Sequence, residues 1–212
     1  MNKIDVVYEI IVVDDGSQDA THARVREMAG EALRVLTYQP NRGKGYAVYW
    51  GMKHARGQYC LFMDVDLSTD LAAVHEFLTL MRSGAYDILI GDRKSDPRLQ
   101  IRRQPRARRV LGRVFTFLSC FVVGKYIKDF TCGFKMFNRN AVNIMLPRQK
   151  VFDWSFDTEL ICIAVTHRLR IGEISVYWKH EGGSKVRLLK DVFVSLWGLM
   201  KIKVNSVLNK YC

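Results

Sequence analysis

Ile10-Ile11-Val12-Val13-Asp14-Asp15-Gly16-Ser17 and Leu61-Phe62-Met63-Asp64-Val65-Asp66 decide the fold. Each is a short apolar run that ends in carboxylates, the form of a buried strand in an open α/β sheet whose carboxyl end faces a ligand crevice. On either side of them, short apolar runs alternate with longer helical patterns, which is the mark of βαβ units. The spacing predicts strands near residues 9–13, 33–38, 59–63, 87–91, 130–137 and 171–177. Helices are predicted near 20–31, 45–56, 70–82, 106–122, 139–146, 156–167 and 188–208, with Asp19 and Ser68 as capping residues.

At 212 residues the chain suffices for one α/β domain, 1–212, with a full core. The formal charge of +12 fits an anionic partner: a nucleotide, a phosphorylated lipid, an acidic membrane surface or nucleic acid. Nucleic acid is disfavoured, because no aromatic-interleaved basic platform or recognition-helix motif is present. Cys60, Cys120, Cys132, Cys162 and Cys212 are odd in number and form no Cys-x-x-Cys pair, so neither a disulfide framework nor a zinc site is expected. No run reaches the roughly 20 apolar residues that span a bilayer, so membrane contact is expected to be peripheral.

Residues 93–123 stand apart. Arg93, Lys94, Arg98, Arg102, Arg103, Arg106, Arg108, Arg109 and Arg113 face a single acid, Asp96, and lead into the apolar run 114–123. This order suits a surface that meets phosphates and then acyl chains, or else a wet loop followed by a core helix. The predicted helix 188–208 carries Leu188, Val192, Leu196, Leu199 and Met200 at amphipathic spacing, for docking on a membrane or for covering the sheet.

Asp14 and Asp15 fall in a turn that Gly16 and Ser17 permit, where carboxylates accept hydrogen bonds either from a nucleoside or from the turn's own backbone. In Asp64-Val65-Asp66, the alternation of an extended segment sets two carboxylates to one side, a spacing for a hard divalent cation, Mg²⁺ or Mn²⁺, and its diphosphate. Between these sites, Asn41-Arg42-Gly43-Lys44-Gly45-Tyr46-Ala47 is a glycine-relieved loop entering a helix, where backbone N–H groups and Lys44 can face a phosphate or simply turn the chain.

These motifs occur in order with Gly91-Asp92-Arg93, the block from Asp129 to Phe137 that contains Cys132-Gly133-Phe134-Lys135, Trp154-Ser155-Phe156-Asp157-Thr158-Glu159-Leu160 and Gly182-Gly183-Ser184-Lys185-Val186. Together they resemble the family 2, GT-A-fold polyprenyl-phosphate glycosyltransferases, the group of dolichyl-phosphate glucosyl- and mannosyltransferases. The resemblance implies a Rossmann-like, mostly parallel sheet flanked by helices. It also implies inverting transfer of a hexose, glucose favoured, from UDP-glucose or GDP-mannose to a polyprenyl phosphate. By motif position, Asp14, Asp15, Lys44, Asp64 and Lys185 would bind the nucleotide sugar, and Asp64 and Asp66 the metal. Asp66, Asp129, Lys135 and Asp157 would serve catalysis, and Arg93, Arg109 and Arg113 the acceptor phosphate. Asp92 stands where the family more often has a small residue. The implied location is the cytosolic face of a membrane, plasma membrane in a prokaryote or endoplasmic reticulum in a eukaryote.

Family members place one further strand and a loop ahead of the strand that here is 9–13, in mid-sheet between it and 59–63. This sequence lacks that pattern, so unpaired backbone groups and a core gap are expected there. The alternative to an enzyme is a catalytically impaired fragment that keeps the fold as a membrane-surface or scaffold protein.

Overall fold

The structure, a computed structural model, describes residues 6–102, 106–179 and 188–212. In chain order it runs β1 (Ile10–Asp14), α1 (Thr21–Glu27), β2 (Leu33–Thr37), α2 (Lys44–His54), β3 (Tyr59–Met63), α3 (Ala73–Arg82) and β4 (Ile88–Asp92). It continues through β5 (Gln100–Arg102), α4 (Arg106–Val123), β6 (Phe134–Asn138), α5 (Arg139–Met145), α6 (Phe156–Thr166), β7 (Ile171–Ser175), β8 (Trp178–Lys179) and α7 (Leu188–Val207). The predicted elements are present, with three local differences. The strand expected from 130 begins at Phe134, α3 begins beyond Ser68, and the short strands β5 and β8 pair in parallel where no strand was expected. Two or three residues carry too little periodicity to be read in advance.

The larger sheet has the order β3-β6-β4-β7. β4 and β7 are parallel and β6 runs antiparallel to both β3 and β4, so β3, β4 and β7 share one direction and this mostly parallel sheet has one reversed strand. The reversal follows from the route of the chain: Phe134, the first residue of β6, lies opposite Met63, the last of β3. β6 therefore starts on the rim where β3 ends. β1 and β2 form a separate parallel pair, and among the described residues no strand lies between β1 and β3.

Side-chain alternation divides the core between the two faces of the larger sheet. Leu89, Phe134 and Met136 pack with Phe77 and Met81 of α3. Ile88, Ile90 and Phe137 face the other way, into a cluster with Val142 and Met145 of α5, Leu160 to Ala164 of α6, and Leu199 and Ile202 of α7. β4 is buried along its whole length, as an interior strand of continuous apolar character should be. α6 is buried on nearly every side because α4, α5 and α7 all pack against it.

Candidate active site

The rim formed by the carboxyl ends of β1, β3 and β4 and the amino end of β6 collects the acidic motifs. Asp14 ends β1 and is buried; its Oδ1 accepts the Ser17 N–H at 2.9 Å and its Oδ2 lies 3.1 Å from His22 Nδ1. Burial opposes its ionisation, yet the Ser17 hydrogen bonds and His22 hold its carboxyl below the usual carboxylate range. Gly16 follows with φ +71°, and a Cβ there would stand 3.0 Å from the Asn41 nitrogen, so the turn requires glycine. Asp15 spends both oxygens on the next loop: Oδ1 accepts Arg42 N–H at 2.7 Å and Oδ2 accepts Gly43 N–H at 2.8 Å, while Asn41 Nδ2 donates to the Asp15 carbonyl. Of the two uses open to these carboxylates, both Asp14 and Asp15 here make the internal one.

That clamp sets the position of Lys44, the first residue of α2, whose Nζ lies 2.6 Å from Asp64 Oδ1. The two acidic motifs are thus joined on one rim through three residues, Asp15 to Arg42 and Gly43, then Lys44 to Asp64. Asp64 is anchored by its own N–H to the Gly133 carbonyl at 3.0 Å. A Cβ on Gly133 would lie 1.9 Å from Asp64 Oδ2, so residue 133 must be glycine for the carboxylate to sit there. Asp66 is exposed in the turn and accepts Ser68 N–H at 3.0 Å. Leu67 between them takes φ +52°, the left-handed region, which tightens this turn. Asp64 and Asp66 are accessible hard-oxygen donors, and the Lys44 ammonium already places a cation against Asp64. The pair fits Mg²⁺ or Mn²⁺ that draws its other ligands from phosphate and water. Among the described residues no group of three His, Cys, Asp or Glu side chains converges on a metal position.

Next along the rim, Arg93 follows β4 and meets the fully buried Asp129 in a fork: Nε to Oδ2 at 2.7 Å and Nη2 to Oδ1 at 2.8 Å. Arg93 also donates to Thr131 Oγ1 at 3.0 Å and lies over the Trp178 ring. Burial penalises the Asp129 charge, but Arg93, Lys94 and Lys135 together hold its carboxyl well below the usual range. Lys94 completes the unit. Its three ammonium protons find three acceptors, Thr116 Oγ1 at 2.8 Å, the Lys128 carbonyl at 3.2 Å and Asp129 Oδ1 at 3.3 Å. It therefore ties α4, through Thr116, to the carboxylate that orients Arg93.

Lys135 lies in β6 between Phe62 of β3 and Ile90 of β4, on the same face as Phe137. Alternation turns it toward α6, where Nζ donates to Asp157 Oδ1 and to the Cys132 carbonyl, each at 2.6 Å. Its side chain has no exposed surface, so it holds Asp157 rather than facing the open rim. Burial pushes the Asp157 carboxyl above its usual value, against the pull of Lys135 and Lys44. Cys132 is buried against Gly91, and burial raises its thiol to about 11, which makes it packing rather than a nucleophile.

Other candidates are placed differently. Arg109 and Arg113 lie exposed on the first half of α4. Lys185 lies outside the described residues, as does His180. Glu159 is buried away from the rim: Oε1 accepts the Tyr211 hydroxyl at 2.7 Å, and Oε2 accepts the Lys150 and Val151 N–H groups. Two positioning groups escaped the sequence reading. Gly133 had a signal, a glycine directly before a strand; the three partners of Lys94 come from separate elements and had none.

The geometry is that of a GT-A-type fold, and comparison with known proteins agrees. The family model for glycosyl transferase family 2 matches residues 4–145. The chain belongs to glycosyltransferase family 2. It is 35% identical over 208 residues to a dolichyl-phosphate beta-glucosyltransferase of Trichomonas vaginalis, covering 95% of this chain and 63% of that protein. It is 34% identical over 192 residues to the human dolichyl-phosphate beta-glucosyltransferase, covering 84% of this chain and 58% of that protein. The chain thus spans less than two thirds of these relatives. Among solved structures, glucosyl-3-phosphoglycerate synthase from Mycobacterium tuberculosis in complex with Mn²⁺, UDP-glucose and glycerol 3-phosphate superposes with a TM-score of 0.65 at 15% identity, covering 92% of this chain and 68% of that one.

Proposed function

We propose that this chain transfers a hexose, glucose in preference to mannose, from a nucleoside-diphosphate sugar to a polyprenyl phosphate such as dolichyl phosphate, with inversion. The observation that carries the reading is the continuous link from Asp15 through Arg42, Gly43 and Lys44 to Asp64. It brings the Asn41–Lys44 loop and the Asp64–Asp66 carboxylates to one rim, beside Arg93–Asp129 and Lys135–Asp157, which supports a shared site for nucleoside and diphosphate. The relatives that share 34–35% identity are named for glucosyl transfer to dolichyl phosphate.

In this reading the acceptor phosphate, already anionic at neutral pH, needs no general base. Its oxygen bonds to the anomeric carbon as the bond from that carbon to the diphosphate breaks, and the electron pair leaves with the nucleoside diphosphate. Asp64 and Asp66 would hold Mg²⁺ or Mn²⁺, which would supply positive charge against the leaving diphosphate. Lys44 adds a second cation beside Asp64. Asp129 orients Arg93 toward the acceptor phosphate, and Lys135 fixes Asp157 beside the sugar. Arg109 and Arg113 draw the anionic acceptor to the entrance.

The acceptor in this reading is a lipid, and the surface supports peripheral docking on a membrane, whose cytosolic face is the one the family resemblance implies. Val110, Val114, Phe117 and Phe121 form one exposed stripe of α4, and Phe193, Trp197, Met200 and Val204 an exposed stripe of α7, which packs beside it. No helix among the described residues is long and apolar enough to cross a membrane. The test is incubation with radiolabelled UDP-glucose or GDP-mannose, Mn²⁺ and a short polyprenyl phosphate. Label is expected in the organic phase and is expected to vanish with Asp66→Ala; its absence from the folded protein overturns the reading.

A further inference from the structure

A groove of about 360 Å³ lies between α7 and the Lys150–Val151 segment, lined by Val151, Trp197, Met200 and Val204 with Lys150, Lys201 and Asn205 at its polar points. Trp197, Met200 and Val204 sit at i, i+3 and i+7, on one face of the helix and over half exposed. They extend for roughly 10 Å along the axis at 1.5 Å per residue. Apolar side chains this open, in line, lack a covering partner among the described residues.

The charged residues of the groove's lining are both lysines. Lys150 and Lys201 are both exposed, and among the described residues neither ammonium makes an ion pair. No carboxylate lines the groove. The carboxylate of a neighbouring element, Glu159, is buried and bound by Tyr211 and by two backbone N–H groups, and it attracts the Lys150 ammonium through space without forming an ion pair with it. An apolar groove whose lining includes two lysines and an indole matches a molecule with one apolar chain and an anionic head. The groove is also continuous with the exposed stripe of α7, whose Lys203 lies over Phe121 of α4.

We infer that this groove binds an anionic phospholipid, with the headgroup phosphate between Lys150 and Lys201 and an acyl chain along Trp197, Met200 and Val204. The site is separate from the rim that carries Asp64 and Arg93. Its lysines come from α7 and from the segment before α6, and its ligand is a bilayer lipid rather than the sugar acceptor. It selects the membrane by headgroup charge, which an apolar stripe alone does not do.

The test titrates the whole chain, by tryptophan fluorescence and calorimetry, with dihexanoyl phosphatidylglycerol kept below its micelle concentration. Dihexanoyl phosphatidylcholine and glycerol 3-phosphate serve as comparison ligands. Saturable binding of phosphatidylglycerol to one site is expected, tighter than phosphatidylcholine by roughly 30-fold, the value of two lysines near an anionic headgroup. Lys150→Gln/Lys201→Gln is expected to abolish that preference without moving Tm, and Trp197→Leu to weaken both lipids. Three results overturn the inference: equal binding of the two lipids, competition by glycerol 3-phosphate as effective as by the lipid, or a preference unchanged in the double variant. Because no sugar transfer is measured, failure here is distinguishable from failure of the enzymatic reading.

Discussion

Replacing Lys135 with methionine tests whether the buried pair beneath the rim is held by charge. Methionine keeps most of the volume but removes an ammonium with no exposed surface that bonds Asp157 and the Cys132 carbonyl. Removing one partner of such a pair leaves an uncompensated buried charge and costs ~3–5 kcal/mol. For a chain of this size that lowers Tm by roughly 6–20 °C, at about 2–4 °C per kcal/mol. The loss depends on pH with a definite sign. Burial already raises Asp157 above its ordinary 3.8, and losing Lys135 raises it further. A carboxyl with a raised folded pKa binds its proton more readily in the native state, so stability falls as pH rises through the interval between the two values. The variant is therefore nearly normal below the ordinary value of 3.8 and fully destabilised only above the raised value of Asp157. Lys135→Met/Asp157→Leu, which buries no charge, is expected to recover most of the loss. Thermal and urea unfolding followed by circular dichroism across that pH range provide the measurement. A loss under ~1 kcal/mol, the worth of an exposed pair, or a loss independent of pH would refute the argument.

Gly133→Ala drives a methyl into the Asp64 carboxylate; glycosyl transfer is expected to fall ~10–100-fold, the usual effect of disturbing the support of a metal ligand, with little change in urea midpoint. Lys94→Met removes the strut between Thr116 and Asp129. It is expected to cost about 1.5–3 kcal/mol of stability, as for hydrogen bonds to charged groups, and to raise the acceptor KM more than it lowers kcat in steady-state assays. Asp87, at the opposite end of β4 from the rim, is held at about 2 by the Arg170 guanidinium despite its partial burial, with Asn138 adding a further bond. A depressed carboxyl stabilises above its unfolded value, so the benefit is lost as pH falls from 3.8 toward about 2. Asp87→Asn is expected to flatten the acid limb of the stability curve and leave donor KM unchanged.

Strands and helices were legible in the sequence because each is set by local periodicity: β4 as a run of buried apolar residues, α6 as an apolar helix opened by acids. The direction of β6 was not legible, since Phe134 to Asn138 reads the same whichever way it pairs, and only the return of the chain to the rim at Gly133 fixes it. The acidic motifs were legible as pairs, but the uses of their carboxylates were not. Asp15 is committed to Arg42 and Gly43, 27 and 28 residues away, and Lys135 to Asp157, 22 residues away. Such partners are chosen by tertiary packing, which composition and spacing do not encode. Glu159 shows the converse: an acid in the first turn of α6, like Asp157, it lies two residues on, about 200° around the helix, and so turns from the rim into the Tyr211 contact.

The central claim is that two acidic motifs, bridged by the Asn41–Lys44 loop, form a single nucleotide-sugar site. Calorimetric titration of UDP-glucose in the presence and absence of Mn²⁺ tests it most directly. One metal-dependent site is expected, lost in Asp64→Asn and Asp66→Ala and weakened in Asp15→Asn through release of the loop. Binding that is indifferent to Asp64 and Asp66, or to the metal, contradicts the claim.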